Sequence, residues 1–153
     1  SSPSGNIHAM PLAVLLGHGN PILTSLMSPQ PKLLPNNTCI VGARSFEKEE
    51  QQLLNDLGVR IFYMDEINCK GLIRVMKEAI AIITQNTKVY GISIDIDAID
   101  LLPAIQIVQR DPRLLGIEIA EYNPYHDKEY RTAKLLEKRL LNIVGTCIES
   151  TTI

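Results

Sequence analysis

KVYGISIDIDAID, residues Lys88 to Asp100, is the stretch that decides the fold. Its first half is apolar and β-branched, the pattern of a strand buried on both faces of a parallel sheet. Three carboxylates then arrive, Asp95, Asp97 and Asp100. Residues i and i+2 of a strand point to the same side, so Asp95 and Asp97 are expected to leave its C-terminal end side by side. Open α/β sheets build their sites at that end. Two carboxylates beside an apolar run repel each other and lose hydration, so they need a cation, a partner or a shared proton. Oxygen-only donors suit a hard ion such as Mg²⁺, Mn²⁺ or Ca²⁺. The plainer alternative has Asp95 or Asp97 capping the next helix and Asp100 closing a turn.

The same alternation of strand and helix extends to both sides of this stretch. Upstream, Pro11 to Gly17 reads as a short apolar helix ending near Gly17 or Gly19. Asn20 to Asn37, with four prolines, reads as a surface connection holding one helical turn. Thr38 to Gly42 is a short strand, and Glu47 to Leu57 an amphipathic helix with Ser45 as N-cap and Gly58 just past its end. Val59 to Met64 is the next strand and Gly71 to Thr84 the next helix. Downstream, Leu101 to Gln109 reads as a helix, Leu114 to Ala120 as a strand and Asp127 to Ile143 as a final helix. The order predicts an α/β protein with a mainly parallel sheet and helices on both faces.

Composition excludes several functional classes. The chain has 153 residues and a net charge of −2, which draws it toward neither nucleic acid nor anionic lipid. Its apolar runs fall short of the ~20 residues of a membrane span. Cys39, Cys69 and Cys147 are an odd number, widely spaced and without a CxxC, as in a reduced intracellular protein. A cytoplasmic location is therefore expected. GxGxxG, P-loop and GxSxG motifs are all missing, which leaves dinucleotide, nucleoside triphosphate and α/β-hydrolase functions without support. An aspartate pair at a strand end would also fit a phosphoacceptor, but no later lysine signature accompanies it.

In a parallel sheet the strand C-termini share one edge. The residues arriving there are Arg44, Ser45 and Glu47, then Asp95 and Asp97, then Glu121 and Asn123. Such an acidic rim suits metal ions or a cationic substrate. Taken alone, Glu121 could equally pair with Arg44 or with the start of a helix. His8, His18 and His126 each sit in a turn or at a helix end, where a solvated role is the ordinary one; Ser4 and Asn6 beside His8 give that histidine more weight.

Four segments occur in one order: SGNIHAMPLA (Ser4 to Ala13), GARS (Gly42 to Ser45), SIDIDAID (Ser93 to Asp100) and EIAEYNPYHD (Glu118 to Asp127). In these the chain resembles the ureohydrolases, the manganese-dependent arginases and agmatinases, and SGNxH is closer to the arginases. The resemblance runs from about Ser4 to the last helix. It implies a three-layer α/β/α fold and hydrolysis of the guanidinium group of arginine to urea and ornithine, by a hydroxide bridging two Mn²⁺ ions. By the same resemblance Asp95 and Asp97 look like metal ligands. His8 is similar to the proton shuttle to the leaving amine, and Glu121 to the acid that pairs with the guanidinium. Ser4 and Asn6 look like the turn holding the substrate α-carboxylate, and Glu47 stands where arginases place an Asp near the α-amino group. A homotrimer or homohexamer is expected, acting on a small guanidino compound, with no nucleic acid or membrane partner.

The sequence departs from the family at Ala9, where a Gly is usual, and at Glu47, one methylene longer than Asp. Leu101-Leu102-Pro103 follows Asp100 where a Pro and a glycine-rich loop are usual. The GGDHS-like and DAHxD-like metal segments would lie upstream of Ser1. The expectation is a single, incomplete ureohydrolase domain over 1–153, with segments missing before Ser1 and after Asp100. Agmatine or another guanidino compound as substrate, or a non-catalytic domain of the same fold, are the alternatives.

Overall fold

The computed structural model describes residues 11–44, 46–95, 101–109, 111–125, 127–134 and 136–138. They form two compact units, divided between Thr87 and Lys88.

The first unit is built on two parallel strands, β1 (Cys39–Ala43) and β2 (Arg60–Tyr63). Alternation sorts their side chains onto two faces. Ile40 and Ile61 face a core made with Leu16, just past helix α1 (Pro11–Leu15), and with Leu54 of helix α3 (Lys48–Asp56). Cys39 points the other way, its Sγ lying 3.9 Å from the Ala79 carbonyl of helix α5 (Leu72–Ile83). Val75, Met76, Ala79 and Ile80 recur at helical spacing and are the buried residues of α5. Between β2 and α5 runs helix α4 (Met64–Lys70), which the sequence does not predict: its first residue, Met64, is expected to end the strand, and Asp65 to Lys70 carry no expected element. It is seven residues long with one buried side chain, Ile67, and so has no apolar stripe to betray it. Its signals were Asp65 and Glu66 in the first turn, Lys70 in the last and Gly71 at the C-cap.

The expected surface connection holds one helical turn, α2 (Pro21–Thr24), capped by the Asn20 side chain on the Ile22 N–H at 2.9 Å. Its return is closed by Lys32. The Lys32 and Leu33 N–H groups donate to the Leu15 carbonyl, and the Lys32 ammonium donates to the carbonyls of Thr24, Ser28 and Gln30. The end of α1, the helix that follows the His8 segment, is thereby pinned.

The second unit contains β3 (Tyr90–Asp95), helix α6 (Leu101–Val108) and β4 (Leu114–Ala120), and β3 and β4 pair in parallel. Residues 131–134 and 136–138 of the last predicted helix are helical. Ile94, Leu114, Ile117 and Ile119 pack on Ile105 and Leu136. Burial on both faces, expected of the Asp95 strand, is not what β3 shows. Tyr90, Ile92 and Ile94 are buried or half-buried, while Gly91, Ser93 and Asp95 are exposed. The physical reason was in the sequence: the alternate residues of YGISID are small or polar, which is the pattern of a half-covered strand.

Among the described residues no helix is long and apolar enough to cross a membrane.

Candidate functional site

Asp95 is the last residue of β3, on the exposed face with Gly91 and Ser93. Its register partner is Ala120, the last residue of β4. Glu121 follows at once, so Asp95 and Glu121 leave the aligned C-terminal ends of neighbouring parallel strands, which lie about 4.8 Å apart. The parallel register supplies this juxtaposition across 26 residues of sequence.

Glu121 is exposed and has a φ of 59°, a left-handed backbone unusual for a residue other than Gly, Asn or Asp. The turn beyond it is tied down in two places. Asn123 accepts the Tyr125 N–H on its side-chain oxygen at 3.0 Å, bracketing Pro124. The Tyr122 hydroxyl donates to Asp127 Oδ2 at 3.0 Å. Asp127 also accepts the Thr132 N–H on Oδ1 at 2.8 Å and the Ala133 N–H on Oδ2 at 2.9 Å. These are N–H groups of the first helical turn, which lack partners within a helix. Partial loss of hydration pushes the Asp127 pKa up, but the two backbone N–H groups and the Tyr122 hydroxyl outweigh it and hold it below its ordinary value. The sequence alone gives neither Tyr122 nor Asp127 a role; the available signal is a Tyr and an Asp flanking an Asn-Pro turn.

In the first unit, Arg44 follows β1 and is exposed. Glu47 occupies the N-cap position of α3 without making a side-chain capping bond. The helix therefore starts at Lys48, one residue later than expected, and Ser45, the expected cap, lies outside the described residues. Glu47 is held between two anchored neighbours. Phe46 meets the Tyr63 ring edge to face, with centroids 6.3 Å apart, and Gln51 Nε2 donates to the Tyr63 hydroxyl at 2.9 Å. Burial and the nearby Glu47 carboxylate push the Glu50 carboxyl above its ordinary pKa, so this helix start carries concentrated negative charge.

Of the remaining expected residues, Ser4, Asn6, His8, Asp97, Asp100 and His126 lie outside the described residues. His18 is exposed just past α1. Among the described residues no group of three or more His, Cys, Asp or Glu side chains could hold a metal ion. Asp95 is the described member of the expected ligand set, and its carboxylate oxygens suit a hard divalent cation in chemistry.

Known proteins share this architecture. The family described as Arginase family matches residues 1–104. An arginase of Bacillus subtilis (strain 168) is 39% identical, covering 95% of this chain and 55% of the relative. An arginase of Brevibacillus brevis is 34% identical with the same two coverages. The solved structure of an arginase from Bacillus caldovelox superposes with a TM-score of 0.85 at 30% identity, over 94% of this chain and 55% of that one. The chain thus spans about half the length of the curated relatives it matches. The α/β fold is that of the arginases, and the chain belongs to the arginase family.

Proposed function

We propose that this chain carries the guanidinium-binding part and a share of the metal-binding part of a manganese-dependent ureohydrolase that converts arginine to urea and ornithine. The observation that carries this reading is the placement of Asp95 and Glu121 at the aligned ends of β3 and β4, in the order in which the family's motifs run.

A guanidinium is planar and cationic, and a carboxylate meets it with two parallel charge-assisted hydrogen bonds. Glu121 would hold the substrate in that way and fix the plane of the carbon to be attacked. His8 would give a proton to the departing amine, a step that suits a side chain titrating near neutral pH. Ser4 and Asn6 would hold the α-carboxylate and Glu47 the α-amino group, selecting arginine over agmatine. Asp95 and Asp97 would contribute ligands to two Mn²⁺ ions, which when bound supply a water activated at neutral pH and charge to steady the tetrahedral intermediate. The substrate is a small molecule, the expected setting is the cytoplasm, and a homotrimer or homohexamer is the expected assembly.

Bound manganese and urea release test the reading together. A full-length protein containing this chain, incubated with Mn²⁺, should retain the metal after gel filtration and release urea from arginine, whereas residues 1–153 alone should not. Asp95→Ala and Asp97→Ala should each lose metal and rate together. Glu121→Gln should keep the metal and lose about 100-fold or more in kcat/KM, because a neutral amide cannot balance the guanidinium charge. Ser4→Ala with Asn6→Ala should raise KM for arginine far more than for agmatine. A full-length protein that retains no manganese and releases no urea would instead be a non-catalytic member of the fold, and the proposal would be abandoned.

A further inference from the structure

We propose that Asp127 is a positioning residue for Glu121, acting through the Tyr122 hydroxyl to hold the turn from which Glu121 addresses a guanidinium. The inference rests on the guanidinium-binding reading of Glu121 given above.

The Asp127 carboxylate does two separable things. It satisfies the Thr132 and Ala133 N–H groups at the start of the last helical stretch, at 2.8 and 2.9 Å. That alone would be an ordinary capping role. It also accepts the Tyr122 hydroxyl at 3.0 Å, a bond that capping does not require. Tyr122 is exposed, and its hydroxyl would be equally well served by water. The bond matters because of what precedes it. Glu121 stands at φ 59°, a setting that an L-residue with a long side chain leaves readily unless its neighbours hold it. The peptide between Glu121 and Tyr122 is planar and rigid, so fixing Tyr122 from its far end restricts the backbone on which the Glu121 side chain stands. A hydrogen bond to an ionised carboxylate is the stronger kind. Asp127 is itself anchored on two backbone groups of a helix, so the tether leads to a fixed point.

The direction of the effect is that of preorganisation. A guanidinium clamp is useful when both carboxylate oxygens already face the ligand, since ordering them on binding costs affinity. The tether supplies that order before the ligand arrives.

Tyr122→Phe tests this by removing one oxygen. Amide hydrogen exchange over 121–125 is read beside exchange at Thr132 and Ala133. L-arginine is then titrated while the backbone resonances of 121–123 are followed. The expected result is exchange about tenfold faster over 121–125, unchanged protection at Thr132 and Ala133, and arginine binding about three- to tenfold weaker. Asp127→Asn should speed exchange at both places, and Asp127→Glu should restore part of the protection. Unchanged exchange over 121–125 in Tyr122→Phe would overturn the tether itself. Faster exchange with unchanged arginine affinity would overturn its positioning role. An unmutated protein whose 121–123 resonances ignore arginine would overturn the guanidinium reading and this inference with it, and the exchange data would still show whether the tether exists.

Discussion

Asp111 shows how one side chain can join a near neighbour in sequence to a distant one. Arg113 grips it with two guanidinium contacts, at 2.9 and 2.8 Å, and with its backbone N–H at 3.0 Å. The Tyr90 hydroxyl adds a fourth bond, at 3.1 Å, from the start of β3. The Arg113 guanidinium is the main reason that the Asp111 carboxyl falls to about 2, burial working against it and the other two donors with it. Burial first, then the Asp111 charge, raise the Tyr90 phenol in turn. A carboxyl whose folded pKa lies below its unfolded value stabilises the fold above the unfolded pKa, near 4, and that contribution is lost as pH falls toward 2. Discounted for solvent screening, it is worth about 1 kcal/mol. Urea unfolding of the protein beside Asp111→Asn should therefore show a gap of about 1 kcal/mol at pH 7 that closes between pH 4 and pH 2. A gap independent of pH would mean that the carboxylate charge is not what stabilises this corner. None of this was legible in sequence, because no periodicity links Tyr90 to Asp111. The strand-end positions of Asp95 and Glu121 were legible, because each follows the isoleucines of its strand.

At the scale of elements, the most readable signals were those in which one residue type answers one backbone need. Gly58 was read as the residue closing α3, and it stands at φ 75°. Its N–H donates to the Asn55 carbonyl and that of Val59 to the Leu54 carbonyl, both at 3.0 Å, while buried Leu54 and Val59 share one core. β4 spans Leu114–Ala120, as its apolar run predicts. The errors came where two patterns overlap, as in β3, whose isoleucines outweighed Gly91, Ser93 and Asp95 in the reading. Two glycines separate backbone strain from crowding. A Cβ at Gly58 would meet nothing within 4 Å, so Gly58→Ala should cost about 1 kcal/mol from its left-handed backbone alone. At Gly17, φ 89°, a Cβ would lie 2.9 Å from Pro31 Cγ, in a ring that cannot rotate away. Gly17→Ala should cost about 2–3 kcal/mol, the same backbone term plus overpacking. Thermal unfolding of the pair checks the order. Equal losses would show that the Pro31 contact yields freely.

For the whole molecule, order along the chain carried more than any local pattern. The alternation of strands and helices predicted the α/β class, and four segments in sequence predicted the family. Charge spacing could not supply the Tyr122–Asp127 bond, which depends on how a turn folds back on the helix after it. Composition leads to a last expectation. The chain carries a net charge of −2 at pH 7 and reaches neutrality near pH 5.9. It also exposes large apolar side chains, among them Met27, Tyr125, Leu115 and Ile22. With so small a charge, repulsion between copies is weak even at neutral pH, and it vanishes near the isoelectric point while apolar attraction persists. Light scattering across pH 5 to 9 at low salt should give a second virial coefficient that is lowest near pH 6 and rises on both sides. Added salt should flatten the profile by screening the charge that produces it. A coefficient that falls steadily with rising pH instead would mean that charge patches, not net charge, govern how copies of this chain meet.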